Sequence, residues 1–332
     1  MTAFRLPLEL ELHILKLATP PLAMDSLADR VKFLIKVSLV HRSFTAWAQD
    51  KLAEQFVYTY TQHKDVRERL EQRLRGVACH GKRSINRLYL DLTRWPKGDD
   101  VAGQTWPLQL LGRDFGGTLT TLWVKPSAVW TGFVRTFPRL KSLTVDDTMC
   151  QGLYASPCYE MNDCRDDEAK YLTHLALRNV DLEIALRGMH AVTSLVMENA
   201  TYCALSAAPS FSEMPSLRTL VASPVMSDAW PPLRWTILAS LPSTIQSVHF
   251  VYERVLTPAD FFGSYSPLPA NLEDLRFVYA GPAPPTEALA KLAGLELLLK
   301  SQLVNHGCRV TCTSVRKTPK AVVDEFMAEL FP

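Results

Sequence analysis

One six-residue pattern, apolar-x-x-apolar-x-apolar, recurs along the chain and limits what it can fold into. Copies occupy residues 85–90, 119–124, 140–145, 172–177, 192–197, 217–222, 245–250 and 272–277, and their first residues lie 34, 21, 32, 20, 25, 28 and 27 apart. Copies in order at this period predict a solenoid whose units each supply a strand and a return segment. The pattern also explains why the units must stack. In a strand, alternate side chains point to opposite faces, so the fourth and sixth residues of each copy share one face. In the copy at 119, Leu122 and Val124 point into a core while Thr121, Trp123 and Lys125 face away. A lone strand cannot bury such a face, and stacked copies share one continuous core.

The copies resemble leucine-rich repeats of an irregular form. The asparagine ladder of more regular arrays is missing, and Asn179 and Asn199 are its nearest candidates. Pro and Gly fill the gaps between copies, so the return segments are expected to mix short helices and loops. Pro138, Pro215, Pro242 and Pro269 each precede a copy by a few residues, which predicts a shared lead-in turn. Residues 56–61 alternate aromatic and β-branched side chains and read as a first strand, with a return helix at 65–74 along Val66, Leu70 and Leu74. After the last copy, residues 283–305 read as a helix along Leu289, Leu292, Leu295 or Glu296, and Leu299. Gly307 is a stop signal and 309–315 one more strand. A final amphipathic helix, 320–331, carries Val323, Phe326, Met327 and Leu330 on its apolar side and is expected to cap the solenoid end.

Composition narrows the function classes. Hydrophobic residues are 47% and charged residues 21% of 332, an ordinary globular balance, and the net charge of +2 sets up no global field toward nucleic acid or membrane. Residues 61–94 hold nine Lys/Arg against four Asp/Glu, but without interleaved aromatics or a matching motif no nucleic-acid partner is expected. No apolar run is long enough to span a bilayer, and no basic region followed by a short apolar run marks a signal peptide. Seven unevenly spaced cysteines without a CxxC pair fit reduced thiols in the cytoplasm or nucleus. Cys150, Cys158 and Cys164 near His174 lack the paired spacing of a zinc site, so no metal is expected. Cys79 beside His80 has no third group to orient it. There is no GxGxxG, Gly-Lys-Ser/Thr, HExxH or GxSxG. No catalytic residue and no cofactor are expected.

The N-terminus is different in kind. Residues 6–17 place Leu10, Ile14 and Leu17 on one apolar line and Leu8, Leu12 and Leu15 on another, with Pro7 in the first turn. A helix apolar on two sides is buried on both, and a small domain of its own covers only one. Helices from about Ser26 to His41 and from Ser43 toward Phe56 follow. The stretch Leu6, Pro7, Leu8, Glu9, Leu10, then Ile14 and Leu15, then residues 37–44 with Val37, Val40, His41 and Phe44, resembles an F-box over roughly residues 4–50. His41 and Phe44 stand where Cys and Trp are commonest in that family, and residues 20–29 make a longer first connection. An F-box followed by irregular leucine-rich repeats is similar to the large F-box families of mushroom-forming fungi.

These readings together predict an α/β chain: a three-helix F-box-like domain at 1–55, a leucine-rich-repeat-like solenoid with a parallel sheet at 56–316, and a capping helix at 317–332. The resemblance implies a non-catalytic substrate-recognition subunit of an SCF-type ubiquitin ligase. Leu6, Pro7, Leu10, Ile14, Val37, Val40 and Phe44 would dock a Skp-family adaptor and through it a cullin and a RING protein, some of them facing the domain's own core. The alternative is a leucine-rich-repeat scaffold without a ligase role. A protein substrate would meet the outward column Tyr89, Trp123, Thr144, Ala176, Val196, Val221, His249 and Arg276, flanked by Lys125, Asp146, Arg178 and Glu198. Of these, Tyr89, Trp123, Arg178, Glu198, His249 and Arg276 are the candidate contacts, unless a loop or the C-terminal tail covers Tyr89 and Trp123.

Overall fold

The structure, a computed structural model, describes residues 6–20, 26–59, 68–69, 71–72, 85–91, 106–125, 136–146, 170–179, 189–199, 211, 214–223, 240–253, 269–282, 286–303 and 307–331. The chain is α/β. Three N-terminal helices, α1 (Leu8–Ala18), α2 (Leu27–Val40) and α3 (Arg42–Ala53), lead into a ten-stranded sheet. Its strands are β1 (Gln55–Thr59), β2 (Arg87–Asp91), β3 (Thr121–Lys125), β4 (Ser142–Asp146), β5 (His174–Arg178), β6 (Ser194–Glu198), β7 (Thr219–Ser223), β8 (Ser247–Tyr252), β9 (Asp274–Ala280) and β10 (Arg309–Val315). They lie side by side in chain order and every pairing is parallel. Helix α4 (Trp106–Phe115) connects β2 to β3, α5 (Thr286–Leu303) connects β9 to β10, and α6 (Pro319–Leu330) follows the last strand.

The helices start and stop where local chemistry dictates. Pro7 caps α1, and its carbonyl accepts from the N–H groups of Leu10 and Glu11 at 3.0 and 3.1 Å. Glu9 and Glu11 sit at the positive end of the helix dipole. The Thr19 hydroxyl donates to the Leu15 carbonyl at 2.6 Å, and Pro20 ends the run. His41 caps α3 by accepting the Ser43 N–H on Nδ1 at 3.2 Å. The three helices share a small core of Leu34, Val37 and Ala48, against which Leu15, Phe33, Phe44, Trp47 and Leu52 pack.

In the sheet, Leu88, Leu122, Leu143, Leu175, Leu195, Leu220, Val248, Leu275 and Val310 stand in one inward column across successive pairings. The leading residues of the copies, Ile85, Leu119, Leu140, Leu172, Val192, Leu217, Ile245 and Leu272, are all buried. Lead-in turns repeat: the N–H groups of Leu140 and Leu217 donate to the carbonyls of Phe137 and Met214 at 3.0 Å. Pro138 and Pro215 are the second residues of these turns, where a fixed φ is favourable. Pro242 and Pro269 instead sit first and accept from Ile245 and Leu272 at 3.1 Å.

At the other end of the strands a short polar ladder forms. Asn199 Nδ2 donates to Asn179 Oδ1 at 3.0 Å, and Asn179 Nδ2 donates to Asp146 Oδ1 at 2.9 Å. Both asparagines have positive φ, 53° and 50°, and their N–H groups reach the Glu198 and Ser223 carbonyls at 2.8 Å. Asparagine tolerates this backbone region better than most residues.

The C-terminal elements depart from expectation. In α5, Leu292, Leu295 and Leu299 are buried, whereas Leu289 is exposed and Leu295 rather than Glu296 continues the line. Gly307 holds φ 66° in the turn before β10, a conformation that favours glycine. Helix α6 does not cap the end of the sheet. It lies across the outward face of β6 to β9, and α5 backs the end strand β10 instead. The reason is that the outward side chains Ala176, Val196, Val221, Val251 and Val278 are apolar and need cover, which Val322, Val323 and Met327 supply.

Cys79, His80, Cys150, Cys158 and Cys164 lie outside the described residues, as does the 65–74 return helix except for four helical residues, 68–69 and 71–72. Among the described residues no group of three or more His, Cys, Asp or Glu is placed to hold a metal ion, and no helix is long and apolar enough to cross a membrane.

Candidate functional site

Two surfaces compete for attention, one on the helices and one on the sheet. Helix α1 turns Leu15 toward the helical core and leaves Leu6, Leu8, Leu10, Ile14 and Leu17 exposed along it and its lead-in. Helix α2 does the same: Leu34 and Val37 are buried, and Ile35, Leu39 and Val40 are exposed, Leu39 by 81%. Covering each such side chain is favourable by about 1.5–3 kcal/mol, so this cluster is the largest store of uncollected apolar burial on the two helices. Of the expected adaptor contacts, Leu6, Pro7, Leu10, Ile14 and Val40 are exposed. Val37 is buried in the small core, and Phe44, half-buried, packs on it with its ring centroid 5.8 Å from that of His41. The additional exposed residues Leu8, Leu17, Ile35 and Leu39 lie on the same two helices. Leu17 already stood on the Leu10–Ile14 line of the sequence.

Most of the outward column is covered, which for Tyr89 and Trp123 is the alternative the sequence left open. Tyr89, Trp123, Arg178, Glu198 and His249 are all buried. Tyr89 and Trp123 pack with ring centroids 6.1 Å apart and share one apolar cluster with the α6 side chains. Burial raises the pKa of the Tyr89 hydroxyl, against the pull of Arg87 and of Arg30 on α2. The sequence signal for this closure was present: strands such as 194–198 and 247–252 carry apolar residues on both faces, which is how doubly covered parallel strands read.

Beneath α6 the face is polar in one place. Arg178 is 2% exposed, and its guanidinium pairs with Glu198 and, at 2.8 Å, with Asp324 of α6. Burial raises the Glu198 carboxyl above its ordinary pKa. Lys320 adds a second cation on Asp324 at 3.2 Å. Two histidines also lie under the helix. The His249 ring lies tilted by 38° against Phe326 at 4.7 Å, with Nε2 2.7 Å from the Ser247 hydroxyl, and His174 meets Phe331 at 5.3 Å. Burial lowers both, His249 to about 4 with help from the Arg276 charge.

Arg276 is the one candidate contact on this face that remains accessible. Its Nε donates to Asp274 Oδ2 at 2.7 Å, and Arg309 Nε donates to Asp274 Oδ1 at 3.1 Å. Burial works against the Asp274 charge, but these two guanidiniums outweigh it and hold the carboxyl below its ordinary pKa. An open groove of about 460 Å³ runs here between β10 and α6.

Burial pushes the Cys308 and Cys312 thiols up to about 11 and about 12, so neither is a thiolate near neutrality. Compared with protein-family models and with curated proteins, the chain matches none.

Proposed function

We propose that the chain is a substrate-recognition subunit of an SCF-type ubiquitin ligase. In this reading α1 to α3 are an F-box that docks a Skp-family adaptor, which links to a cullin and a RING protein. The sheet is an irregular leucine-rich-repeat solenoid that holds a protein substrate, in the cytoplasm or nucleus. The observation that carries the reading is the exposed apolar side of α1 and α2, from Leu6, Leu10 and Ile14 to Leu39 and Val40, on helices whose other side already fills their small core. The Leu6 to Leu10 and Val37 to Phe44 stretches support it by resemblance.

The subunit itself breaks and forms no bond. Its contribution is proximity, since tethering raises the effective concentration of a substrate lysine near a charged E2. The test is co-purification of the full chain with a Skp-family adaptor, beside an Ile14→Asp variant. Ile14 is exposed, so the variant folds, and a charge placed in an apolar contact weakens capture by several kcal/mol. Equal capture of both proteins, or capture of neither, removes the F-box reading and leaves a repeat scaffold without a ligase role.

A further inference from the structure

The groove between β10 and α6 is walled by charges of opposite sign. On the sheet side stand Arg276 and Arg309. On the helix side stand Glu325 and Glu329. Val278, Val315, Val322 and Phe326 complete an apolar lining between them. Its volume, about 460 Å³, falls within the range of ligand clefts, about 300–1,000 Å³.

The arginines are set for recognition. Both reach Asp274 through Nε alone, so one buried carboxylate fixes the planes of two guanidiniums. Among the described residues, the terminal nitrogens of both forks have no hydrogen-bond partner. A fork held in this way meets a carboxylate in a two-bond geometry. On the opposite wall Glu329 makes no ion pair among the described residues, and Glu325 pairs only with the exposed Lys317, at 2.5 Å. No ion pair joins the two walls among the described residues, so a guest bridging them meets both sets of charges.

The edge of β10 is a separate place for a guest, and it is partly taken. β10 is the last strand of the sheet, and a free edge is an invitation to a further strand. Here the Cys312 N–H is taken by Glu296 Oε2 of α5 at 3.2 Å. A guest in the groove lies on the outward face of β10, over Thr311 and Thr313.

We infer that this groove binds an extended protein segment in which an acidic residue adjoins a basic one beside an apolar residue. Neighbouring side chains of an extended chain point in opposite directions, so one meets the arginine wall and the next the glutamate wall. The apolar residue covers Val278, Val322 and Phe326. The inference deepens and rests on the receptor reading, because it places the substrate on an accessible stretch of the outward face beside α6.

The probes are four fluorescein-labelled, end-capped hexapeptides with a central Asp-Lys, Asp-Asp, Lys-Lys or Asn-Gln pair flanked by leucines, titrated into the full chain by anisotropy. The Asp-Lys peptide binds at least tenfold tighter than the Asn-Gln peptide and weakens with salt. In an E325Q/E329Q variant, whose changes lie on exposed positions of α6, preference moves to the Asp-Asp peptide. In Arg276→Gln, which leaves Arg309 on Asp274, the Asp-Lys peptide loses about tenfold or more in affinity. Equal binding of all four peptides, no saturable binding of Asp-Lys, or an E325Q/E329Q variant with unchanged preference overturns the inference. Adaptor capture is measured on the same proteins. If capture persists while the peptides fail, the groove assignment alone falls; if the peptides bind while capture fails, the receptor reading alone falls.

Discussion

Arg178 on β5 and Asp324 on α6, 146 positions apart in the chain, are joined by a 2.8 Å hydrogen bond between Nη1 and Oδ1. With Glu198 as the second partner, this pins the last helix to the middle of the sheet. Breaking a buried pair from one side is costly because it strands the other charge. Arg178→Ala should therefore lose about 3–5 kcal/mol, read as a lower urea midpoint at unchanged slope. Asp324→Asn keeps a polar acceptor and should lose less. A midpoint for Arg178→Ala equal to that of the wild type would show that the network contributes nothing.

The histidines under α6 make stability depend on pH. The folded-state pKa of His249, about 4, lies below its ordinary 6.5, so the folded chain binds fewer protons than the unfolded one between those values. The stabilisation is complete above about pH 6.5 and is lost as pH falls toward about 4. At about 1.4 kcal/mol per unit the loss from His249 is roughly 3 kcal/mol at the acid end. His174, also lowered by burial, acts in the same direction. Denaturation midpoints taken from pH 7 to pH 4.5 should fall less steeply in His249→Gln than in the wild type. Parallel curves would assign the acid sensitivity to another group.

Asn199 combines a positive φ with a place in the polar ladder, and two substitutions separate these contributions. Asn199→Gly keeps the backbone and loses the hydrogen bond to Asn179. Asn199→Ala loses the bond and also strains the backbone, which costs about 1–2 kcal/mol more. The expected order of melting temperature is wild type, then Gly, then Ala. An alanine variant as stable as the glycine variant would show that the turn relaxes without strain.

The inward side of the sheet was legible because a period of two leaves no choice of face. Once Leu122 and Val124 were placed inward, the columns from Leu88 to Leu275 followed, and the last strand, 309–315, has the bounds its alternation predicts. The outward side was not legible from the repeat alone. Val196 and Val221 stood in the middle of a column read as a partner surface, yet their apolar character is what α6 covers. The apolar line of α6 was readable from Val323, Phe326 and Met327, but where it docks depends on Arg178, far away in sequence. On the helices the difficulty was different. Leu34 and Leu39 are chemically identical, and only the packing of α2 on α3 decides which one the chain itself covers.

That difference gives the sharpest test of the helical surface. Leu34 is 0% exposed and Leu39 81% exposed on the same helix. Leu34→Asp puts an unpaired charge into a core that, among the described residues, is built around three buried side chains, and a unit this small has little stability to lose. Its helices should melt, seen as lost helical signal and rapid proteolysis within residues 26–53. Leu39→Asp changes only a solvent-facing group, so stability should stay within about 0.5 kcal/mol of the wild type. If α2 is part of a docking surface, the two variants fail differently. Leu39→Asp loses adaptor capture while its helical signal stays intact, and Leu34→Asp loses both. Full capture by Leu39→Asp would confine the contact to α1, where Leu10 and Ile14 would carry it without help from α2.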